Sequence, residues 1–420
     1  MGGVRIACAV KLWRSGIIWS VLNFLGGIGN FAFSALMARR LSKGEFGDSS
    51  TTLAFVSFLS MLPMAAGMAL VHYIAYFRGK NDDARLQGLL AGCQRFLLQI
   101  TAAGCLIALL AAKPLASFFG YRPTLMLAAL AYVLVNLWSN FGISLCQGMA
   151  WFKRLAVVGV AAVGLRYAFG WIVTNKYPTA EAAVSATTFS FLANIGLLYW
   201  WKDIFRHGSE RISPWTREFM QFLLVTVAYV AGNWFFLFSE ELVAKKYFTK
   251  EELDAYEFAA RWGLALPGTV LPLLLVMFSS RSGGVKGRSD QRILLGLYAA
   301  GLSCGAAAII LFRETLVRVI SGKANTQAAA MLIPFTIAMT FAGLSQAISL
   351  WSLSGRWLKM ALLYGGLGVV YWAALLMTGT TPGALLRVMP LGTGAAFCVL
   401  LTAWLLASRR EAEASPAINA

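Results

Sequence analysis

The chain has 420 residues, of which 59% are hydrophobic and only 13% are charged, and its formal net charge is +18. Soluble domains carry about 25% charged residues, and an apolar surplus of this size would aggregate in water, so the composition excludes an ordinary soluble protein. The basic residues lie mainly between apolar blocks, where we expect them to set membrane topology rather than to bind nucleic acid.

Blocks of roughly 20 apolar residues follow one another along the chain, each long enough to cross the hydrocarbon layer as a helix. They are apolar around most of their circumference, which is typical of membrane spans, and the alternating pattern of a membrane strand is absent. The first block is too long for a signal peptide and is predicted to stay as an uncleaved span. The twelve blocks are residues 16–38, 50–74, 88–112, 124–148, 155–174, 180–201, 219–243, 256–279, 292–312, 327–353, 357–377 and 385–407.

The loops between the blocks carry the charge that indicates orientation. With the amino terminus inside, roughly 20 Lys and Arg residues fall in inside loops and tails and roughly 13 outside, although Arg39, Arg40 and Lys43 are among the latter. This asymmetry predicts that both termini are cytoplasmic. The richest inside loops hold Lys202, Arg206, Arg211 and Arg217, then Arg281, Lys286, Arg288 and Arg292.

Sequence signals of catalysis and cofactor binding are scarce. The chain contains no GxxxxGK[ST] loop, no CxxC or other metal spacing, and only two histidines, His72 and His207. We therefore expect no nucleotide hydrolysis, no metal site, no cofactor and no His-based catalysis. These features indicate a protein that is not an enzyme.

A short internal echo predicts two halves of six spans each. Gly29-Asn30-Phe31 in the first span is matched by Gly232-Asn233-Trp234 in the seventh. Each echo is followed by a Ser/Thr-x-x-Glu pattern, Ser42 to Glu45 and Thr249 to Glu252, which is typical of a capping box at a helix start. We predict a lobe over residues 1–205, a second over 206–410 and a short polar tail over 411–420, with a substrate site between the lobes.

Two prolines and two arginines within spans are candidates for movement and binding. Pro63 and Pro267 lie in corresponding helices, where each either permits rocking or fixes a static kink. Arg166 lies near mid-membrane, where an arginine costs roughly 2.5–3.5 kcal/mol unless it faces protein or water. Arg95 lies a third of the way into its span and either faces a cavity or reaches the membrane surface.

Carboxylates and amides complete the candidate set. Glu240 and Glu241, at the end of span seven, either anchor the helix at the interface, exchange a proton or ion, or pair with Arg261. Buried amides either join helices or face a hydrated cavity, and the latter is expected above all for Asn30, Asn140 and Asn233. The other amides in or near spans are Asn23, Asn136, Gln147, Asn194 and Gln346.

The segment Ala38 to Gly47, ARRLSKGEFG, resembles the "AR-x-L-x-x-x-E-[FY]-G" segment after the first helix of oligosaccharide flippases. These form the polysaccharide transporter family of the multidrug/oligosaccharidyl-lipid/polysaccharide exporter superfamily. The stretch from Glu241 to Arg261, with an acidic residue, an apolar run, a loop and a Tyr-x-x-Ala helix start, is similar to that family's middle segment, and Leu271-Pro272 matches its usual proline. An Asp is common in the centre of the family's span seven, where this chain has Glu240 and Glu241 nearby.

The resemblance implies an all-α fold with two six-helix lobes forming a V around a central cavity. It implies flipping of an undecaprenyl-diphosphate-linked oligosaccharide across the bacterial cytoplasmic membrane by alternating access, for surface polysaccharide synthesis. The implied partners are that lipid-linked substrate, membrane lipids, and a polysaccharide polymerase with glycosyltransferases. A cationic, amide-lined cavity would suit a diphosphate and sugars, because arginine pairs well with phosphate oxygens.

Two other functions compete with this one. A multidrug or other small-molecule exporter of the same superfamily usually needs an acidic residue in its first lobe, whereas spans one to six here contain only Glu181, near an end. A membrane enzyme such as a polysaccharide polymerase commonly needs a large external loop, and the longest loops here, near 202–218 and 244–255, are short. The carried glycan, the coupling ion and the oligomeric state stay open.

Overall fold

A computed structural model describes residues 25–42, 44–199, 217–282, 288–322, 324–354 and 357–414. Within these ranges the chain forms fifteen α-helices and no strand. The predicted lobe boundary at 205/206 and the loop residues Lys202, Arg206 and Arg211 lie outside the described residues.

The first lobe, residues 25–199, contains seven helices, and helices α5 and α7 pack against each other at its centre. Helix α6 packs on α7, and α3 and α4 pack on α5. The helices are α1 (25–40), α2 (Glu45–Leu59), α3 (Met61–Gly79), α4 (Asp83–Phe119), α5 (Pro123–Gly148), α6 (Phe152–Lys176) and α7 (Ala180–Tyr199).

The second lobe, residues 217–414, contains eight helices. Helix α13 is the most buried and packs against α10 and α15, while α8 packs against α14. The helices are α8 (Arg217–Leu237), α9 (Ser239–Tyr247), α10 (Lys250–Ser282), α11 (Arg288–Leu311), α12 (Arg313–Ser321), α13 (Thr326–Ser354), α14 (Leu358–Thr378) and α15 (Pro382–Ala414).

Ten of these helices are long and apolar enough to cross a membrane, and the number is eleven if the bent pair α2 and α3 is counted as one span. Large apolar side chains such as Leu109, Met377 and Leu391 are more than two thirds exposed, as expected for helices that face lipid rather than water. The prediction of an all-α, multi-pass membrane protein with two lobes is confirmed. The first predicted span, 16–38, lies partly outside the described residues.

Two predicted spans are interrupted helices. Helices α2 and α3 meet at Ser60 with a bend of 52°. The bend precedes Pro63, which lacks the N–H that would bond to the carbonyl of Leu59 one turn earlier. The predicted span 219–243 breaks at Phe238 into α8 and α9, whereas α10 stays one helix through Pro267.

The two predicted capping boxes have different outcomes. At the start of α10, Thr249 N donates to Glu252 Oε2 over 2.9 Å, and Glu252 N donates to Thr249 Oγ1 over 3.3 Å. This box is confirmed. At the start of α2 the box is absent, because Gly44, with a left-handed φ of 80°, takes the cap position instead of Ser42.

Glu45 takes no part in a capping box. Its carboxylate instead connects α2 to the ends of neighbouring helices in the first lobe. Its Oε2 accepts from the backbone N–H of Ala180, the first residue of α7, over 2.7 Å. The same oxygen lies 2.6 Å from Arg122 Nη2, and Arg122 also pairs with Glu181 over 2.9 Å. A carboxylate at a helix amino terminus is favoured by the exposed N–H groups there.

Thr249→Ala is expected to lower the free energy of unfolding by about 1 kcal/mol, because the first turn of α10 loses the side-chain acceptor of its box. Ser42→Ala, at the corresponding position of the other pattern, is expected to change it little. Thermal unfolding of the two purified variants in the same detergent measures the difference. Equal effects of the two substitutions would contradict this assignment of the caps.

Candidate functional site

A cavity of about 500 Å³ lies between the first lobe and α10 of the second lobe. Helices α1, α5, α6 and α7 supply its first-lobe wall. Two arginines, Arg166 and Arg261, line it, and the described residues that line it include no carboxylate. The other polar lining residues are Asn30, Ser34, Ser190, Asn194 and Thr269.

The polar part of the cavity lies far from the ends of the helices that line it. Asn30 and Arg166 each stand ten residues before the ends of their helices, which corresponds to about 15 Å of helix rise. Arg261 stands eleven residues after Lys250, the start of α10, which corresponds to about 17 Å. All three therefore lie about 15–17 Å along their helices from these helix ends, which is comparable to half of a hydrocarbon core of about 30 Å.

Arg166 faces the cavity and is held by α1. Its Nη1 donates to Asn30 Oδ1 over 3.1 Å, and its guanidinium stands 4.1 Å from the centre of the Phe33 ring. Its Nε is buried and has no hydrogen-bond partner among the described residues. An arginine within a membrane-spanning helix needs protein or water around it, and the cavity beside its guanidinium leaves room for a polar occupant.

Glycine allows α1 to pack closely on α6 and so brings Asn30 to Arg166. A Cβ added at Gly29 would lie 2.3 Å from Val163 Cγ1, far inside van der Waals contact. A Cβ added at Gly170 would lie 2.5 Å from the Phe33 ring. Small residues of this kind are what close helix packing in membranes requires.

Arg261 connects the cavity with a buried group of carboxylates behind it. Its Nη2 lies 2.8 Å from Glu257 Oε2, one turn earlier on α10, and 3.5 Å from Glu241 Oε1 on α9. Arg261 is 19% exposed, whereas Glu241 and Glu257 are at most 1% exposed. Glu240, next in the chain, is fully buried, and neither of its carboxylate oxygens has a hydrogen-bond partner among the described residues.

Pairing with Arg261 is one of the roles that the sequence leaves open for Glu240 and Glu241, and the structure brings Arg261 beside Glu241. Sequence reasoning missed Glu257, which was treated as part of a helix start rather than as a buried charge. The spacing of Glu257 and Arg261, four residues apart within one helix, was the available signal, because such residues lie on the same helix face.

The structure does not bring the remaining predicted binding residues to the cavity. Arg95 is exposed on the outer side of α4. Asn233 is packed inside the second lobe, where its Oδ1 accepts from the Tyr364 hydroxyl over 2.8 Å. Asn140 is half-buried on α5 and, like Pro63 and Pro267, is not among the lining residues. Asn194 lines the cavity instead, with a buried Oδ1 that accepts no hydrogen bond from the described residues.

One end of the interface between the lobes is closed by direct contacts, which we call the latch. The Lys245 ammonium pairs with the Asp48 carboxylate, and the Gly47 N–H donates to Asp254 Oδ1 over 3.2 Å. The rings of Phe46 and Phe258 are stacked with their centres 5.5 Å apart. The latch consists of Phe46, Gly47, Asp48, Lys245, Asp254 and Phe258.

The lobes also touch at the opposite end, through aromatic packing of α3 on α8. His72 stacks on Phe222 with ring centres 4.4 Å apart, and Tyr73 contacts Phe219 at 5.2 Å. The cavity extends from mid-membrane towards this second end, since its wall includes Leu155, three residues into α6, and Thr269, deep in α10. The two arginines therefore lie at the end of the cavity that is nearer to the latch, and the rest of the cavity extends away from the latch.

Two helical lobes that enclose a polar cavity at mid-membrane define a class of multi-pass membrane proteins in which the site lies between the lobes. The particular fold is that of the MATE transporters. The MatE family model matches residues 20–172. No curated protein sequence matches the chain.

Solved structures with this fold cover nearly the whole chain. The Vibrio cholerae MATE transporter VcmN in its bent form is 14% identical, with 96% of this chain and 98% of that chain covered and a TM-score of 0.67. A multidrug resistance MATE transporter of the MOP superfamily is also 14% identical in two conformations. The match to the outward-facing form covers 93% of this chain and 95% of that chain, with a TM-score of 0.69. The match to the inward-facing form covers 96% of this chain and 100% of that chain, with a TM-score of 0.66.

Proposed function

We propose that this chain is a MATE-type transporter that moves an anionic, lipid-linked substrate across the bilayer by alternating access. The substrate that suits the site best is an undecaprenyl-diphosphate-linked oligosaccharide, flipped from the cytoplasmic leaflet to the outer leaflet of a bacterial inner membrane. The observation that carries the proposal is the pair Arg166 and Arg261 in a mid-membrane cavity whose described lining contains no carboxylate.

The negative charge of the substrate sets the first requirement on the site. A diphosphate cannot enter the hydrocarbon unless cations compensate it, and the planar guanidinium binds two phosphate oxygens at once. Arg166 offers the buried Nε that has no hydrogen-bond partner among the described residues. The hydroxyls and amides of Ser34, Ser190 and Asn194 add donors and acceptors suited to sugar hydroxyls.

Alternating access is supported by the fold and by the interface between the lobes. A protein of this fold has been solved in both inward-facing and outward-facing conformations. In this chain the latch closes one end, and a substrate leaving by that end requires the Asp48–Lys245 pair to separate. Such a movement would shift α2, α3 and α10. The bend at Ser60, close to Pro63, joins α2 to α3, and Pro267 lies within α10.

Topology and partners follow from the same proposal. Both termini would be cytoplasmic, so the latch would face the outside. Glycosyltransferases would build the lipid-linked unit on the inner leaflet, and a polysaccharide polymerase would consume it on the outer leaflet.

A multidrug exporter is the second candidate, because the solved structures with this fold include multidrug resistance transporters. A cationic drug needs an acidic group in its binding cavity, since opposite charge compensates its desolvation. The buried carboxylates of this chain, Glu240, Glu241 and Glu257, stand behind Arg261, and Arg261 lies between them and the cavity. This arrangement favours an anionic substrate over a cationic one.

Transport assays in proteoliposomes separate the two candidates. We expect the purified protein to flip a lipid-linked oligosaccharide and not to move ethidium, a cationic drug probe. Gly268→Leu is expected to reduce flipping severely, because Gly268 lines the cavity and an added side chain there meets no atom within 4 Å and fills the space. Gly366→Leu is the matched control, since Gly366 is equally open but lies outside the cavity. Ethidium transport without flipping would overturn the proposal in favour of the exporter.

A further inference from the structure

Arg261 belongs to two sites at once. Its side chain lines the cavity, and the same guanidinium binds the buried carboxylates of Glu257 and Glu241. A guanidinium that turns towards an anion in the cavity weakens its contacts with these carboxylates. Whatever binds in the cavity is therefore in competition with the two glutamates for one cation.

This competition disturbs the balance of charge around Arg261. The two cavity arginines carry two positive charges, and Glu241 and Glu257 balance them when both are ionised. The Glu240 carboxylate has no hydrogen-bond partner among the described residues, so an ionised Glu240 would be a third, uncompensated negative charge at a fully buried position. Removing the cationic partner of a buried carboxylate is strongly unfavourable, since several kcal/mol of lost solvation are no longer offset.

We propose that an anion binding to Arg166 and Arg261 is accompanied by proton uptake on Glu241 and Glu257, so that the site stays near neutral whether empty or loaded. This inference rests on the proposed anionic substrate and adds its coupling. Each proton goes to a carboxylate oxygen that loses its contact with Arg261, and it leaves when the anion leaves and Arg261 returns. Anion and protons consequently bind with positive cooperativity.

Other charged and titratable groups around the glutamates already have partners or stand further from the cavity. On α2, Asp48 is paired with Lys245 of α9, and on α10 Asp254 accepts from the Gly47 N–H. The hydroxyl groups of Tyr256 on α10 and Tyr371 on α14 face the carboxylates, and Ser50 on α2 faces Glu257. On the cavity side Arg261 faces Arg166, which in turn faces Tyr132 of α5. Among these groups, only Glu241 and Glu257 are buried carboxylates that share Arg261.

The experiment measures proton uptake on binding of farnesyl diphosphate, a soluble isoprenoid diphosphate, to the purified full-length protein. Calorimetric titrations at one pH in buffers of different ionisation enthalpy give the number of protons taken up per ligand. We expect the wild type to take up about one to two protons more than Glu241→Gln/Glu257→Gln, and its affinity to fall about tenfold per pH unit for each linked proton. The double variant is expected to bind the probe at least as tightly as the wild type, with a flatter pH dependence.

Controls separate a failure of the proton coupling from a failure of the proposed anionic substrate. Glu314→Gln removes an exposed carboxylate on α12 and is expected to leave proton uptake at the wild-type value. Because the same probe is used throughout, protons that the diphosphate itself exchanges cancel in the comparison. Equal uptake and equal pH dependence in the wild type and the double variant would overturn the coupling and leave anion binding intact. A wild type that does not bind the probe would instead overturn the proposed anionic substrate.

Discussion

Arg166→Ala is expected to abolish flipping while the protein still inserts and folds. The substitution removes the guanidinium that lines the cavity and donates from its Nη1 to Asn30 Oδ1. A charge-assisted hydrogen bond is worth about 1.5–3 kcal/mol, and a bidentate pair uses two of them, so affinity for a diphosphate should fall by roughly a hundredfold or more. The measurement is the flipping rate in proteoliposomes, or surface polysaccharide in cells, at equal protein levels.

The second arginine within a predicted span supplies the control. Arg95→Ala also deletes a guanidinium from a membrane helix, but Arg95 is exposed on α4 and should leave flipping near the wild-type rate. Arg166→Lys keeps a positive charge without the planar fork and should retain a small part of the activity. Normal flipping by Arg166→Ala would remove this residue from the mechanism, and equal loss in both alanine variants would point to charge in general rather than to the cavity.

The contrast between Arg95 and Arg166 shows how far sequence alone reaches. Counting residues places both arginines in spans, and the structure puts Arg166 ten residues before the end of α6, a helix of 25 residues that is close to the length of a bilayer crossing. Helix α4 has 37 residues, about 55 Å, which is far longer than the hydrocarbon requires. Counting from the start of its apolar block therefore could not give the depth of Arg95.

Which face of a helix looks inward is also hidden in such a sequence. The spans are apolar all round, so periodicity does not mark a buried face. Asn30 and Asn233 stand in matching sequence patterns, yet Asn30 contacts Arg166 at the cavity and Asn233 contacts Tyr364 inside the second lobe. The difference arises from the packing of α8 on α14, which depends on residues more than a hundred positions away in the chain.

The break at Phe238 explains why the acidic group was only partly predicted. A continuous helix over the predicted span would have carried Glu240 and Glu241 on towards the interface. Instead α9 is a separate helix that begins at Ser239, and both glutamates are buried between α8, α10 and the first lobe. A break without proline or glycine gives no local signal, so only the three-dimensional structure shows that Glu241 and Glu257 share one guanidinium.

Locking the latch is expected to stop transport completely and reversibly. A Cβ added at Gly47 would lie 3.1 Å from Leu253 Cγ. The Leu253 Cβ is one bond from that atom, so the two Cβ atoms would be at most about 4.6 Å apart, close to the range of about 3.5–4.5 Å found in disulfides. Gly47→Cys/Leu253→Cys, in a background whose six native cysteines are replaced, should therefore join α2 to α10 under oxidising conditions. We expect flipping to fall to the background rate on oxidation and to return on reduction.

A second disulfide, placed within one lobe, separates locking of the lobes from the general effect of a cross-link. A Cβ added at Gly142 would lie 3.5 Å from the Leu198 Cβ, and both residues belong to the first lobe, on α5 and α7. Gly142→Cys/Leu198→Cys should thus form an equally good disulfide and leave flipping unchanged, because α5 and α7 move together when the lobes separate. If the oxidised latch pair flips substrate at the rate of this control, then Phe46 to Asp48 and the start of α10 stay in contact throughout the cycle. In that case the substrate passes between the lobes without opening the end that the latch closes.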